Sequence, residues 1–271
     1  MLSRYDRYVR AASSAAVEAG ALLAKFVGHP KTIRTKKSPI DLVTEVDRAS
    51  ERLIQRRLQR AEPAFGFLGE ERGAVRPGAA GRWIVDPIDG TSNFVHGFPL
   101  FGVSIGLEID RRIVAGVIYD PMRRELFTAA RRGGAFLNGK RLRVSPIRQL
   151  SHSLLSTGFS SHFLEYTQPY LNWFKAFQRH SHGVRRIGST VISLSAIAAG
   201  RLEGFYERDL QPWDMAAGIL LVEEAGGRVS NLSGGPVVLE EGGLAASNGR
   251  IHREMLKILR QPRSSRASSS T

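Results

Sequence analysis

Cysteine is absent from the chain. Its absence excludes disulfide frameworks, thiolate nucleophiles and cysteine-ligated zinc together. Also missing is any apolar run approaching the ~20 residues of a membrane-spanning helix. The N-terminal stretch is interrupted by Arg4, Asp6, Arg7 and Arg10, so it lacks the hydrophobic core of a secretory leader. The cytoplasm is the expected compartment, with no membrane partner. The seven histidines are scattered without a close pair such as His-x-x-x-His, so none receives a metal or catalytic role. No internal repeat is evident.

What is present points to a globular chain. Hydrophobic residues make up 42% and charged residues 24%, and 271 residues suffice for one large domain or two smaller ones sharing an interface. The formal net charge of +14 raises nucleic acid or transcription machinery as a partner. The basic residues are spread along the chain, however, and no aromatic-basic RNA-binding signature accompanies them. A surface that attracts anionic small substrates is the better reading.

The most informative stretch is WIVDPIDGTSNFVH, Trp83 to His96. An apolar strand runs into Asp86, Pro87 ends its backbone pairing, and Asp89 follows ahead of Gly90 and Thr91. Paired carboxylates beside a turn form a half-site for a hard cation such as Mg²⁺, which takes oxygen ligands and keeps waters for a phosphate to displace. Gly90 and Thr91 offer N–H groups and a hydroxyl where a helix begins, a favourable place for a phosphate dianion. Ordinary turn chemistry explains the same residues when they are taken alone.

Helical periodicity predicts a first helix over about Ser3 to Phe26. Pro39 and the basic residues Arg34, Lys36 and Lys37 then mark an exposed loop. Thr44-Glu45-Val46-Asp47 has the capping-box spacing of a helix start, and that helix should run to about Gln59. Asp47 is therefore explained as a first-turn acid unless something brings it to a site. Phe65, Phe67 and Leu68 suggest a short strand delivering Glu70 and Glu71 beside Asp86, although a solvated acidic turn would look alike.

Strand patterns follow in GVSIGLEI, IVAGVIYD, RELFTAA and AFLNGKRLRV, with Asn138-Gly139 as a two-residue hairpin turn. Short connections imply an antiparallel sheet. The next part alternates: SLLSTGF as strand, HFLEYTQPYLNWFKAFQ as helix, GVRRIG as strand, STVISLSAIAAG as a helix closed by Gly200, LEGFYE as strand, WDMAAGILLVEEAGG as helix, GLAAS as strand, and a helix near Ile251 to Arg260. The expected division is residues 1–145, residues 146–260 and a disordered tail at 261–271. Gly188-Ser189-Thr190 sits at a strand-to-helix junction, where Ser189 caps a helix or presents an anion site. Asp214 opens another helix, as a first-turn acid or as a ligand.

Together GEE at Gly69 to Glu71, the Trp83 to His96 stretch, RRIGS at Arg185 to Ser189 and QPWDMAAG at Gln211 to Gly218 resemble the inositol monophosphatase family. The likeness runs from the first helix to about residue 260. It implies an α/β (α+β) fold, the layered αβαβα sandwich of the sugar phosphatases. It also implies two or three Mg²⁺ ions held by Glu70, Asp86, the carbonyl of Ile88, Asp89 and Asp214. The resemblance further implies that Asp47 helps order a further metal or its water, and metal-activated hydrolysis would then have Glu70 and Thr91, with Asp47 behind them, orient the attacking water. Asp89, Gly90, Thr91, Gly188, Ser189 and Asp214 surround the phosphate, and Glu207 accepts hydrogen bonds from substrate hydroxyls. Members are typically homodimers, and many are inhibited by lithium.

The substrate implied is a small phosphorylated polyol or sugar, foremost inositol monophosphate. Fructose 1,6-bisphosphate, histidinol phosphate and adenosine 3′,5′-bisphosphate are alternatives within the family, and an RNA-linked or transcription-linked binding role is a second one. Arg208 and Thr190 depart from the common pattern and bear on specificity. A haloacid-dehalogenase type of phosphoaspartate chemistry requires D-x-D-G-T, whereas Asp86-Pro87-Ile88-Asp89-Gly90-Thr91 has one residue more between its acids.

Overall fold

The structure is a computed structural model that describes residues 4–35, 42–76, 78–159 and 167–260. In chain order come helix α1 (Asp6–Phe26), strands β1 (Ile33–Thr35) and β2 (Leu42–Thr44), helix α2 (Glu45–Ala61), strands β3 (Gly66–Gly69), β4 (Gly73–Val75) and β5 (Gly81–Asp89), and the one-turn helix α3 (Thr91–Val95). Five strands follow: β6 (Gly102–Ile109), β7 (Arg112–Asp120), β8 (Glu125–Ala130), β9 (Gly134–Leu137) and β10 (Lys140–Arg141). The remainder is β11 (Leu154–Thr157), α4 (Thr167–His180), β12 (Gly183–Arg185), α5 (Thr190–Ala198), β13 (Gly204–Glu207), α6 (Pro212–Glu224), β14 (Arg228–Ser230), β15 (Leu244–Ser247) and α7 (His252–Leu259).

Two larger sheets carry the fold. One has eight strands in the order β10-β9-β8-β7-β6-β5-β3-β4, the other five in the order β12-β11-β13-β15-β14. In the first, only β3 and β5 run parallel.

Side-chain alternation sets the layers. Along β5, Trp83 and Val85 face α1 and α2, packing with Ala16, Leu23, Ile54 and Leu58, while Ile84 faces α5 and α6. On the second sheet Phe205, Leu244 and Ala246 join the α5 and α6 side, and Leu155, Tyr206 and Ala245 join Phe177 of α4 and Met255 of α7. The result is five layers in the order α, β, α, β, α, as the resemblance implies. Helices α5 and α6 lie between two sheets, and accordingly Met215 to Val222 are all buried, with no polar stripe.

Small residues let α6 sit close to the first sheet. A Cβ added to Gly106 would fall 2.8 Å from Ala216 Cβ, and one on Gly116 would fall 2.9 Å from the Ala217 carbonyl oxygen.

Local chemistry agrees with the sequence at several points. Thr44 and Asp47 form the reciprocal capping box of α2. Asn138 (φ 49°) and Gly139 (φ 80°) make the left-handed turn between β9 and β10. Other stretches differ. The segment expected as a loop before Thr44 contains β1 and β2, an antiparallel pair in which Ile33 lies opposite Thr44. All three residues of β1 are exposed, so no burial alternation marks it as a strand. Helix α4 is described from Thr167 and includes Pro169. The earlier part of that expected helix, Lys36, Lys37 and Pro39, and the tail at 261–271 lie outside the described residues.

Candidate active site

The acids of the central stretch are brought together by strand pairing. Because β3 and β5 are parallel neighbours, with Gly69 opposite Val85, they end side by side and deliver Glu70 and Asp86 to one place. The Glu70 N–H donates to the Val85 carbonyl at 3.3 Å. Asp86 and Asp89 are separated by an odd number of positions, which on a regular strand would put them on opposite faces. Here Asp86 lies opposite Ser104 and Asp89 opposite Gly102, so β5 carries one extra residue and bulges. The bulge restores both carboxylates to the face that meets α6. Asp86 Oδ1 accepts from the Ile88 N–H at 2.9 Å, while the Ile88 side chain is buried among the α1 and α2 core.

Asp214 completes the cluster from the other part of the chain. Its Oδ2 accepts from the Gln211 N–H at 2.7 Å, so it caps α6 and faces the acids at once. The Ser104 hydroxyl donates to the Trp213 carbonyl at 3.1 Å and ties this turn to β6. One carboxylate oxygen from each of Asp86, Asp89 and Asp214 lies within 4.8 Å of the others. Burial and mutual repulsion push Asp86 and Asp214 well above the ordinary carboxylate range. Burial raises Asp89 to about 6 even though Ser189 and the Val191 and Thr190 N–H groups hold it down. Among the described residues these crowded, partly desolvated carboxylates have no salt bridge to a basic side chain, and such a set fits a hard divalent cation.

A second line of acids runs behind Glu70. Buried Asp47 accepts from the Thr44 N–H at 2.8 Å and its hydroxyl at 2.6 Å through Oδ2, and from the Thr91 hydroxyl at 3.2 Å through Oδ1. Burial lifts Asp47 to about 6, with Glu70 and Glu71 adding to the rise. The capping acid of α2 thus reaches the site as well. Glu51, one turn further along α2, accepts from the Glu71 N–H at 2.8 Å and is raised to about 7 by burial and by Glu71 and Glu70. Sequence reading passed over Glu51, since a glutamate in mid-helix among arginines reads as a solvated face. The missed signal was its place on the same helical face as Asp47.

Two helix starts build the neighbouring part of the site. Gly90 (φ 94°) turns the chain from β5 into α3, and Gly188 (φ 81°) turns it toward α5; a Cβ on Gly90 would meet the Gly188 carbonyl oxygen at 3.2 Å. Asn93 joins them, its Nδ2 donating to the Leu100 carbonyl at 2.6 Å and the Ile187 carbonyl at 2.9 Å. The Ser189 hydroxyl accepts from the Ile192 N–H at 3.3 Å and donates to Asp89 Oδ2 at 2.6 Å, and the Val191 N–H reaches the same oxygen at 2.7 Å. Asp89 therefore takes part of the anion-binding capacity of the α5 N-terminus.

These residues surround a cavity of about 720 Å³. Its walls include Glu70, Asp89, Gly90, Thr91, Gly188, Ser189 and Asp214, and further out Thr190, Glu207, Asp209, Arg186 and Phe159. Glu207 is buried and pushed up to about 8 by that burial. The Thr190 hydroxyl donates to Glu207 Oε2 at 3.1 Å. The Arg208 guanidinium instead lies over the Trp173 ring, 5.9 Å from its centre, outside the described lining of the cavity. Arg186, within the wall, was not singled out by sequence because its dibasic neighbourhood looks like surface.

Comparison with known proteins gives the class first. The chain is 44% identical over 254 residues to an inositol-1-monophosphatase of Mesorhizobium japonicum, covering 93% of this chain and 96% of the relative. It is 42% identical over 248 residues to the Nus factor SuhB of Escherichia coli strain K12, covering 91% and 93%. Among solved structures, the extragenic suppressor protein suhB from Bartonella henselae superposes with a TM-score of 0.88 at 42% identity, over 93% of this chain and 98% of that one. The chain is a phosphatase, a phosphoric monoester hydrolase. It belongs to the inositol monophosphatase family, whose sequence model matches residues 4–264.

Proposed function

We propose that the protein is a Mg²⁺-dependent phosphatase hydrolysing inositol monophosphate, of the myo-inositol 1-phosphate type, to inositol and phosphate by direct attack of water. Glu70, Asp86, the Ile88 carbonyl, Asp89 and Asp214 would hold two or three ions. When bound, divalent cations supply Lewis acidity, acidifying water and neutralising charge on the departing oxygen. The chain's own residues do the orienting. The Thr91 hydroxyl has its proton directed at Asp47 or at the Ile88 carbonyl, 3.1 Å away, which leaves its lone pairs for a water in the cavity. Glu70 faces the same water, Gly90, Thr91, Gly188 and Ser189 enclose the phosphate, and Glu207 accepts hydrogen bonds from substrate hydroxyls.

One observation favours a monophosphate over the bisphosphates of the family. Among the described residues lining the cavity, the acids are Glu70, Asp89, Glu207, Asp209 and Asp214, and the single strong base is Arg186. Cations at the inner acids can balance one phosphate. A second phosphate further out would face Glu207 and Asp209. The test is a panel of inositol 1-phosphate, fructose 1,6-bisphosphate, histidinol phosphate and adenosine 3′,5′-bisphosphate, assayed with Mg²⁺ and with added lithium. Inositol 1-phosphate should have the highest kcat/KM and lithium should inhibit; preference for a bisphosphate would overturn the reading. Hydrolysis should also leave no phosphate on Asp86, whose Oδ1 is already held by the Ile88 N–H.

A binding role in a transcription or RNA complex is a compatible second reading. It is favoured by Arg48, Arg52, Arg56 and Arg60, all exposed at four-residue intervals along α2, a basic row suited to a polyanion. Salt-sensitive RNA binding that survives Asp86→Asn would support it. RNA binding unaffected by charge reversal along that row would not.

A further inference from the structure

Glu207 occupies a slot that only certain neighbours permit. It ends β13, whose parallel neighbour β11 runs alongside with Thr157 opposite Tyr206, so Gly158 comes level with the Glu207 side chain. A Cβ on Gly158 would fall 2.1 Å from both carboxylate oxygens of Glu207. No larger residue fits there without driving the carboxylate out. The two strands are pinned at this point by the Thr157 hydroxyl, which donates to the Tyr206 carbonyl at 2.7 Å.

On its other side the carboxylate meets α5. Thr190 is the first residue of that helix and lines the cavity, and its hydroxyl proton goes to Glu207 Oε2 at 3.1 Å. The backbone of Thr190 is fixed by the α5 N-terminus, which Asp89 and Ser189 cap. A hydroxyl on a rigid helix start therefore sets the rotation of a carboxylate already confined by a glycine. A carboxyl group offers several lone-pair directions, and Thr190 takes one of them.

We propose that Thr190 and Gly158 are positioning residues that hold Glu207 as the reader of ligand hydroxyl groups, so that this pair determines preference for polyol phosphates over phosphates of hydroxyl-free alcohols. This rests on the reading of the cavity as a polyol-phosphate site. A polyol donates hydroxyl protons to the held carboxylate. An aryl phosphate offers none and leaves a buried carboxyl oxygen unsatisfied, the kind of mismatch that discriminates strongly between substrates. If Glu207 were free to rotate away, it would lose this advantage for the polyol and obstruct the aryl ester less.

The experiment compares kcat/KM for myo-inositol 1-phosphate and p-nitrophenyl phosphate in the wild type, Thr190→Val and Thr190→Ser, with Mg²⁺ saturating. Valine keeps the volume and removes the hydroxyl; serine keeps the hydroxyl. The ratio of the two kcat/KM values should fall about tenfold in Thr190→Val, through KM for the inositol ester, and return toward wild type in Thr190→Ser. Gly158→Ala should lower the same ratio if it folds. A general folding or packing defect would lower both substrates in proportion and leave the ratio intact, and that result overturns the proposal. A wild type that turns over p-nitrophenyl phosphate but not inositol 1-phosphate would instead overturn the underlying reading of the cavity.

Discussion

Thr91 Oγ1 lies 3.2 Å from Asp47 Oδ1 and 3.1 Å from the Ile88 carbonyl oxygen, so a side chain at the start of α3 is oriented by the first turn of α2 and by the β5 bulge. Replacing Thr91 by valine keeps the shape and removes the group proposed to align water. The expected outcome is a fall in kcat of about a hundredfold, the range of a lost proton-handling contact. Mg²⁺ binding, read as the increase in Tm on adding the ion, should persist. Unchanged kcat would remove Thr91 from the mechanism.

Asp214→Asn separates the two jobs of that residue. Asparagine retains an oxygen for the Gln211 N–H, so α6 stays capped, but one charge leaves a crowded cluster. The metal-free variant should melt at least as high as the wild type, because repulsion is relieved. The Tm gain from Mg²⁺ should shrink, and activity should drop by about a thousandfold or more. Calorimetry with and without chelator checks both.

The raised carboxyls give the metal-free protein a definite pH dependence. Asp47 and Asp89 are lifted to about 6 and Glu207 to about 8, all above their unfolded values. A group raised in this way stabilises the fold fully below its unfolded pKa, and the contribution is lost as pH rises through the folded value. In chelator, the Asp47 and Asp89 contributions should therefore fade between about pH 4 and 6, and that of Glu207 between about pH 4 and 8. Mg²⁺ should raise Tm more at pH 8 than at pH 6. Equal gains at both pH values would contradict the electrostatic account of the cluster.

His252 works in the opposite direction. Its Nε2 and Nδ1 each lie 2.9 Å from a hydroxyl, those of Ser230 and Ser247, and burial lowers it to about 4. A neutral ring can donate to one and accept from the other. Because the folded pKa is depressed, the stabilisation is present above the unfolded value near 6.5 and is lost as pH falls through 4. Between those limits the wild type should lose on the order of 3 kcal/mol relative to His252→Gln. Denaturant titrations of both proteins at pH 7 and pH 4.5 give the difference.

Much of this was legible in the sequence wherever a residue's type narrows its conformation. The capping box at Thr44 and Asp47 and the Asn138-Gly139 turn each have few structural outcomes, whereas Pro87 does not end its strand as expected: β5 bulges there and pairs again at Asp89. Of the acids that read equally as helix caps, Asp214 proves to be a cap that also lines the cavity, and Asp47 a cap whose second oxygen holds the cavity-lining Thr91. Position in a first turn is compatible with both because the capping oxygen is only one of two. What escaped notice depends on contacts between distant segments. Glu51 shares a helical face with Asp47 but its arginine neighbours make it read as solvated surface, Gly158 looks like any strand-end glycine until Glu207 lies against it, and β1 is exposed along its whole length.

The glycines beneath α6 have a consequence for assembly. Gly106 and Gly116 leave room for Ala216 and Ala217 to nestle onto the first sheet, and that seating, with the Ser104 bond to the Trp213 carbonyl, sets Asp214 beside Asp86 and Asp89. A nascent chain halted before Gln211 would own the entire eight-stranded scaffold yet lack the final acid. On the proposed reading of the site, the acid cluster is therefore complete only once α6 has seated against the first sheet.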